Sequence, residues 1–218
     1  MNKNIHSKLL SLGIFTPIIF FILMYVVLPL LYPGYNSMDQ HISQLGGVNS
    51  PVSFYANFFG FYLFGVSIII FSLAVFRLPK LSIGNRISSI FLFITGVSIS
   101  LVSFFPCDVS CNVLSQTGFI HLALAGIQLF FLILTVIIFS LSKPLRKENH
   151  AYIKFIFFLW LLPSSIWFSN IIFGFHVEGV GLIQRISLAM TYAFVVIQGI
   201  TYSRYYKELS VSHSNKQL

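Results

Sequence analysis

Phe104-Phe105-Pro106-Cys107-Asp108-Val109-Ser110-Cys111 separates two long apolar runs, and Gly118-Phe119-Ile120-His121 opens the second. The stretch holds both cysteines of the chain, one of its five acidic residues, and a histidine just inside an apolar segment. Polar and ionisable groups are costly at membrane depth, and where they occur they pair or serve a function. A Pro-Cys-Asp connection between two apolar runs therefore reads as a turn at a membrane surface, with a helix crossing the bilayer on each side.

Reading outward gives six such runs: residues 9–31, 53–76, 87–105, 118–141, 155–175 and 186–203. None contains Lys, Arg, Asp or Glu. A span of the ~30 Å hydrocarbon core needs about 20 apolar residues. The connections are short, so consecutive helices are expected to be antiparallel neighbours. The first run is too long for a signal peptide, and Tyr32-Pro33-Gly34-Tyr35 follows it in place of a small-residue cleavage site. It is expected to be an uncleaved span, bent or ended by Pro17 and Pro29. Composition agrees: 56% of residues are hydrophobic and 8% are charged, against about 25% charged in soluble domains. The fold class is all-α, a single polytopic membrane domain of six helices (residues 1–218) ending in a polar tail, 204–218.

The net charge of +8 could point to nucleic acid in a soluble chain. Here the basic residues lie in short loops, which favours an anionic membrane leaflet and no nucleic acid. Lys3 and Lys8, then Arg77, Lys80 and Arg86, then Lys143, Arg146, Lys147 and Lys154, and finally Arg204, Lys207 and Lys216 fall on one side, leaving only Arg185 on the other. The positive-inside rule places both termini in the cytoplasm of a cell-membrane protein. The outer side then comprises residues 33–52, 106–117 and 176–185. It collects Asp39, Asp108 and Glu178 with His41 and His176, and His121 lies one turn inside the fourth span.

In the first outer loop, Ser37-Met38-Asp39-Gln40 has the form of a capping box. Met38, Ile42 and Leu45 recur at helical spacing, and Gly46-Gly47 supplies a stop. The spacing predicts a two-turn amphipathic helix lying over the outer end of the bundle, with Asp39 and Ser43 on its polar side. Cys107 and Cys111 share an outer loop, where an oxidised pair is expected. A small disulfide ring is the structural reading. A redox pair is the functional one, but there is no second pair to relay electrons. Zinc through these thiolates would need more ligands nearby.

His121, Ala125 and Gln128 form a small and polar stripe that normally faces other helices. Asn57, Gly60 and Ser67, then Gly96, Ser100 and Ser103, then Ser164, Ser165, Ser169 and Asn170 after Pro163, and Ser187, Thr191, Gln198 and Tyr202 extend buried polarity to four more spans. Ordinary helix packing accounts for most of them; a polar crevice would use the same residues. The P-loop, HExxH, GxSxG and Rossmann patterns are missing from the sequence, and no span carries a midplane carboxylate.

Tyr32-Pro33-Gly34-Tyr35, Ile42-Ser43-Gln44-Leu45-Gly46, Phe105-Pro106-Cys107-Asp108 with Cys111, Gly118 through His121, and Gln184-Arg185 resemble the markers of a membrane family catalogued as domain of unknown function 998. The resemblance implies a prokaryotic multi-pass protein of about six spans. It implies no activity and no catalytic residue. The ingredients His41, His121 and His176 with Asp108 and Ser43 are also similar in type to those of alkaline-ceramidase-like zinc hydrolases. Those enzymes have seven spans and the positions do not match, so the similarity stops at residue types.

The functional expectation is an outer polar pocket formed by Asp39, His41, Ser43, Asp108, His121, His176, Glu178 and Arg185, binding a lipid headgroup or small molecule, or else an accessory or sensory subunit. Expected partners are membrane lipids and other membrane proteins. Arg185 is expected at the start of the sixth span, where the helix dipole disfavours a cation, and so to need Asp39, Asp108 or Glu178 beside it. No cofactor is expected. The alternative is a metal-dependent lipid hydrolase with zinc on His121, His176 and Asp108.

Overall fold

The computed structural model describes residues 3–142, 159–160, 164–165 and 178–214. Five helices among them are long and apolar enough to cross a membrane: Asn4–Leu30, Ser53–Phe76, Ile83–Val102, Gln116–Leu141 and Val180–Val211. They correspond to the first, second, third, fourth and sixth expected spans. The expected fifth span (155–175) and the preceding loop lie almost entirely outside the described residues, as do His176, Pro163, Ser169 and Asn170. The described residues thus show an all-helical membrane bundle with five spans. The last helix begins at Val180, earlier than expected, and continues to Ser214 through the expected polar tail.

Caps set two of the starts. Ser82 and Ser115 have extended backbones, and their hydroxyls accept from the amides of Asn85 and Gly118. Small residues set the closest approaches, as expected where lipid gives helices no hydrophobic reason to associate. Gly199 of the last span lies against the backbone of Gly13 in the first, and Gly65 of the second against Gly96 and Ser100 of the third. Most span hydroxyls bond a carbonyl of their own helix: Ser67 to Leu63, Thr95 to Phe91, Ser100 to Gly96 and Thr135 to Phe131. These bonds to their own helices follow the packing reading. Phe20, stacked 4.4 Å from Phe64 and edge-on to Tyr192 at 5.1 Å, joins the first, second and last spans in the core.

Two spans widen into π-helix, at Ile22–Val27 and Ala56–Tyr62. In the first, the Leu28 amide reaches Leu23, five residues back, just before Pro29 removes the next donor. In the second, Gly60 admits the Met24 side chain. Trp160 and Ser164, from the expected fifth span, bond Thr191 at 2.8 Å and Ser187 at 2.9 Å on the last span.

The first loop departs from expectation. Its one regular element is a 3-10 helix, Ile42–Gly46, and His41 ahead of it is extended. With three residues per turn, Ile42 and Leu45 share the buried face, while Met38 is 51% exposed. The predicted two-turn helix is absent because the last span occupies the groups that would build it. Ser37 and Gln40 present their carbonyls to Arg185. Met38 accepts from the Leu182 amide, and the Ile42 amide donates to Gln184 Oε1, both at 2.8 Å. The cap also shifts by one residue. Asn36, not Ser37, pairs with Gln40: its amide donates to Gln40 Oε1 at 2.6 Å, and its Oδ1 accepts from Met38 at 2.9 Å.

Candidate functional site

Three segments meet at one end of the bundle: the first loop, the Cys107 loop and the start of the last span. The first loop is central and is held from both sides.

On one side stands the last span. Gly181 lets its helix touch the backbone of Gln40, where a Cβ would collide. One turn on, Arg185 is 6% exposed. Its Nη1 donates to the carbonyls of Ser37 and Gln40, each at 2.7 Å, and to Gly181 at 3.1 Å. Its Nη2 donates to the Tyr35 hydroxyl, and the cation lies 5.5 Å from the Tyr35 ring centre. The Tyr35 hydroxyl in turn donates to the His41 carbonyl at 2.8 Å. Tyr25 of the first span fixes the Arg185 main chain by donating to its carbonyl at 3.0 Å. Burial, opposed by the cation, pushes the Tyr35 phenol up.

Arg185 has no carboxylate beside it among the described residues, and this corrects the expected ion pair. The helix starts at Val180, so Arg185 lies beyond the first turn, where the dipole acts. Four oxygens of neutral groups, three carbonyls and a phenol, replace the carboxylate. Asp39 instead accepts from the Asn36 amide group at 2.7 Å and from the Gly179 backbone at 3.2 Å, at the very start of the last helix. Glu178 is exposed. Burial holds His41 below its ordinary pKa, and Arg185 acts in the same direction against a hydrogen bond with Gln184. Two buried atoms of this cluster, Arg185 Nε and His41 Nδ1, have no hydrogen-bond partner.

On the other side stands the Cys107 loop. Cys107 and Cys111 form the disulfide. The Val48 amide donates to the Cys107 carbonyl at 2.9 Å, and Cys107 Sγ lies 3.4 Å from the Ser43 carbonyl oxygen. Asp108 accepts from the amides of Leu114 and Ser115 and from the Ser115 hydroxyl, all at 2.8 Å. These bonds hold its carboxyl below the usual range, the Ser115 hydroxyl contributing most. Asp108 thereby secures the start of the fourth span, and Gly118 leaves room for it. His121 is buried, with Nδ1 2.6 Å from the Phe105 carbonyl.

The eight expected pocket residues therefore sort by partner. Asp39, His41 and Arg185 belong to the clamp on the last span. Asp108 and His121 belong to the Cys107 loop, Ser43 touches that loop through its carbonyl, and Glu178 is exposed just before the last helix. His176 lies outside the described residues, so only Asp108 and His121 of the expected metal set are described. Among the described residues no three His, Cys, Asp or Glu side chains gather to hold a metal. Sequence reasoning passed over Asn36, Gly181 and Gln184 as site residues. Gln184 and Tyr35 stood in the quoted markers, the one signal available for them.

An apolar helical bundle closed at one end by a loop bound to buried polar side chains is an integral membrane protein. Over residues 15–201 the chain matches the family model described as protein of unknown function, DUF998, and it belongs to that family. No curated protein and no solved structure matches it.

Proposed function

We propose that the protein binds an anionic group, a lipid headgroup or a small acid, at the Arg185 cap, with that end facing outward. The observation that carries this reading is the buried guanidinium with no carboxylate beside it among the described residues. A buried cation left without a counter-charge is costly, and charge-assisted bonds to an anion are among the stronger hydrogen bonds a protein makes. Arg185 Nε and His41 Nδ1, both without a partner, are the atoms from which recognition would start. The twelve-to-one distribution of basic residues supports the outward orientation. Membrane lipids are the nearest source of such anions.

Mass analysis of what co-purifies tests the proposal. Wild-type protein should retain about one anionic lipid or acid per chain through size exclusion, and folded Arg185→Gln and His41→Ala should each lose it. Equal retention by the wild type and both variants, or retention by none, contradicts it.

A further inference from the structure

A cavity at the same end of the bundle has a different chemistry from the Arg185 clamp. It measures about 510 Å³ and lies between the second and third spans, within the ~300–1,000 Å³ range of small-ligand sites. Its long wall is a ladder of rings on the second span. Phe54 and Phe58 are parallel to within 5° at 5.8 Å, and Phe58 and Tyr62 to within 21° at 5.8 Å. Phe104, from the end of the third span, closes the other side edge-on to Tyr62 at 5.6 Å and 78°. Ser53, Asn57 and Ser103 supply the neutral polar lining. Asn57 is held in place by donating to the Gly46 carbonyl at 2.9 Å, and Ser103 by donating to Ser100 at 2.6 Å.

The lining carries four aromatic rings and no charged residue. Ring faces are electron-rich and attract cations, most strongly those that shed water easily, such as quaternary ammonium groups. Two of the chain's own cations sit on other rings: Arg86 lies 5.6 Å from the centre of Phe76 and Arg185 5.5 Å from that of Tyr35. A helix in lipid also stacks aromatic rings without a ligand. Here, however, the Phe104 ring beyond the end of the third span meets Tyr62 of the ladder, and Ser53, Asn57 and Ser103 share the lining. From the four rings and the uncharged polar lining we infer that the cleft between Phe54, Phe58, Tyr62 and Phe104 binds a quaternary ammonium group, either the head of a lipid or a free solute. This inference is independent of the Arg185 reading, since it uses none of the same residues.

The test is thermal unfolding of the full chain in a maltoside detergent at constant ionic strength, titrated with tetramethylammonium and, separately, with 2,2-dimethylpropan-1-ol, a soluble neutral analogue of similar shape. Tetramethylammonium should stabilise saturably and the alcohol should not. Tyr62→Leu should weaken the apparent affinity at least tenfold. Phe104→Leu should do the same, and because Phe104 is 64% exposed its loss leaves the fold standing. If wild type in choline-lipid nanodiscs no longer responds to tetramethylammonium while protein in glycerol-lipid nanodiscs does, the lipid head is the occupant. A response in both assigns the site to the free solute. Equal shifts from ion and alcohol, a shift that survives both substitutions, or no shift with any ammonium compound overturns the inference. A response that grows with alkyl length and ignores charge does so too, and shows that the cleft takes a hydrocarbon chain.

Discussion

Arg185 does at one position what a short helix would do along several. It satisfies the carbonyls of Ser37 and Gln40, which would otherwise be left in a poorly solvated cap. Arg185→Gln should lower stability by about 2–4 kcal/mol, because each stranded buried acceptor costs about 1–3 kcal/mol. Arg185→Lys should recover little, since a point charge cannot hold several carbonyls and a ring together. Unfolding of the purified variants in detergent measures both. His41 predicts a pH dependence with a definite sign. Burial and Arg185 keep its ring neutral in the folded chain, against an ordinary value of 6.5. As pH falls below about 6.5 the unfolded chain binds a proton that the folded chain refuses, so stability declines. His41→Gln should flatten that decline; an unchanged slope would remove His41 from the account. The prominence of Arg185 was legible in the sequence, because it is the one basic residue on its side. Its partners were not, since backbone carbonyls carry no signature in a sequence.

The first loop shows how a packed neighbour overrides local periodicity. Met38, Ile42 and Leu45 repeat as an α-helix requires, yet Leu182, Gln184 and Arg185 capture the hydrogen-bonding groups of that turn. The capping signal was real but belonged to Asn36, a residue as suited to the role as Ser37. Gly181 makes the capture possible. Gly181→Ala should push the loop off the last helix, seen as faster hydrogen exchange at the Leu182 and Ile42 amides. Exchange unchanged from wild type would show that the contact is slack. The disulfide was readable from two cysteines in one short loop, and the structure contains it. A ring this small constrains the unfolded chain weakly, so Cys107→Ser with Cys111→Ser should cost about 2 kcal/mol. The Val48 amide, bonded to Cys107, should then exchange faster.

For the whole molecule, apolar length without charge identified the five spans among the described residues, since the bilayer demands it. The third and fourth spans start at Ile83 and Gln116, earlier than expected, because Ser82 and Ser115 cap them. A shared end for the polar segments also followed from the span pattern. Their division between the last span and the Cys107 loop did not, because it depends on contacts between distant segments. Both binding proposals place their sites at this end, and the Arg185 proposal takes it to face away from the cytoplasm. Reporter fusions test that arrangement most directly. Fusions at Asn49 and Ser115 should report the outside, and fusions at Lys80 and Lys147 the cytoplasm. A reversed pattern at any two of these sites would place Arg185 and the aromatic cleft on the cytoplasmic face and contradict the account.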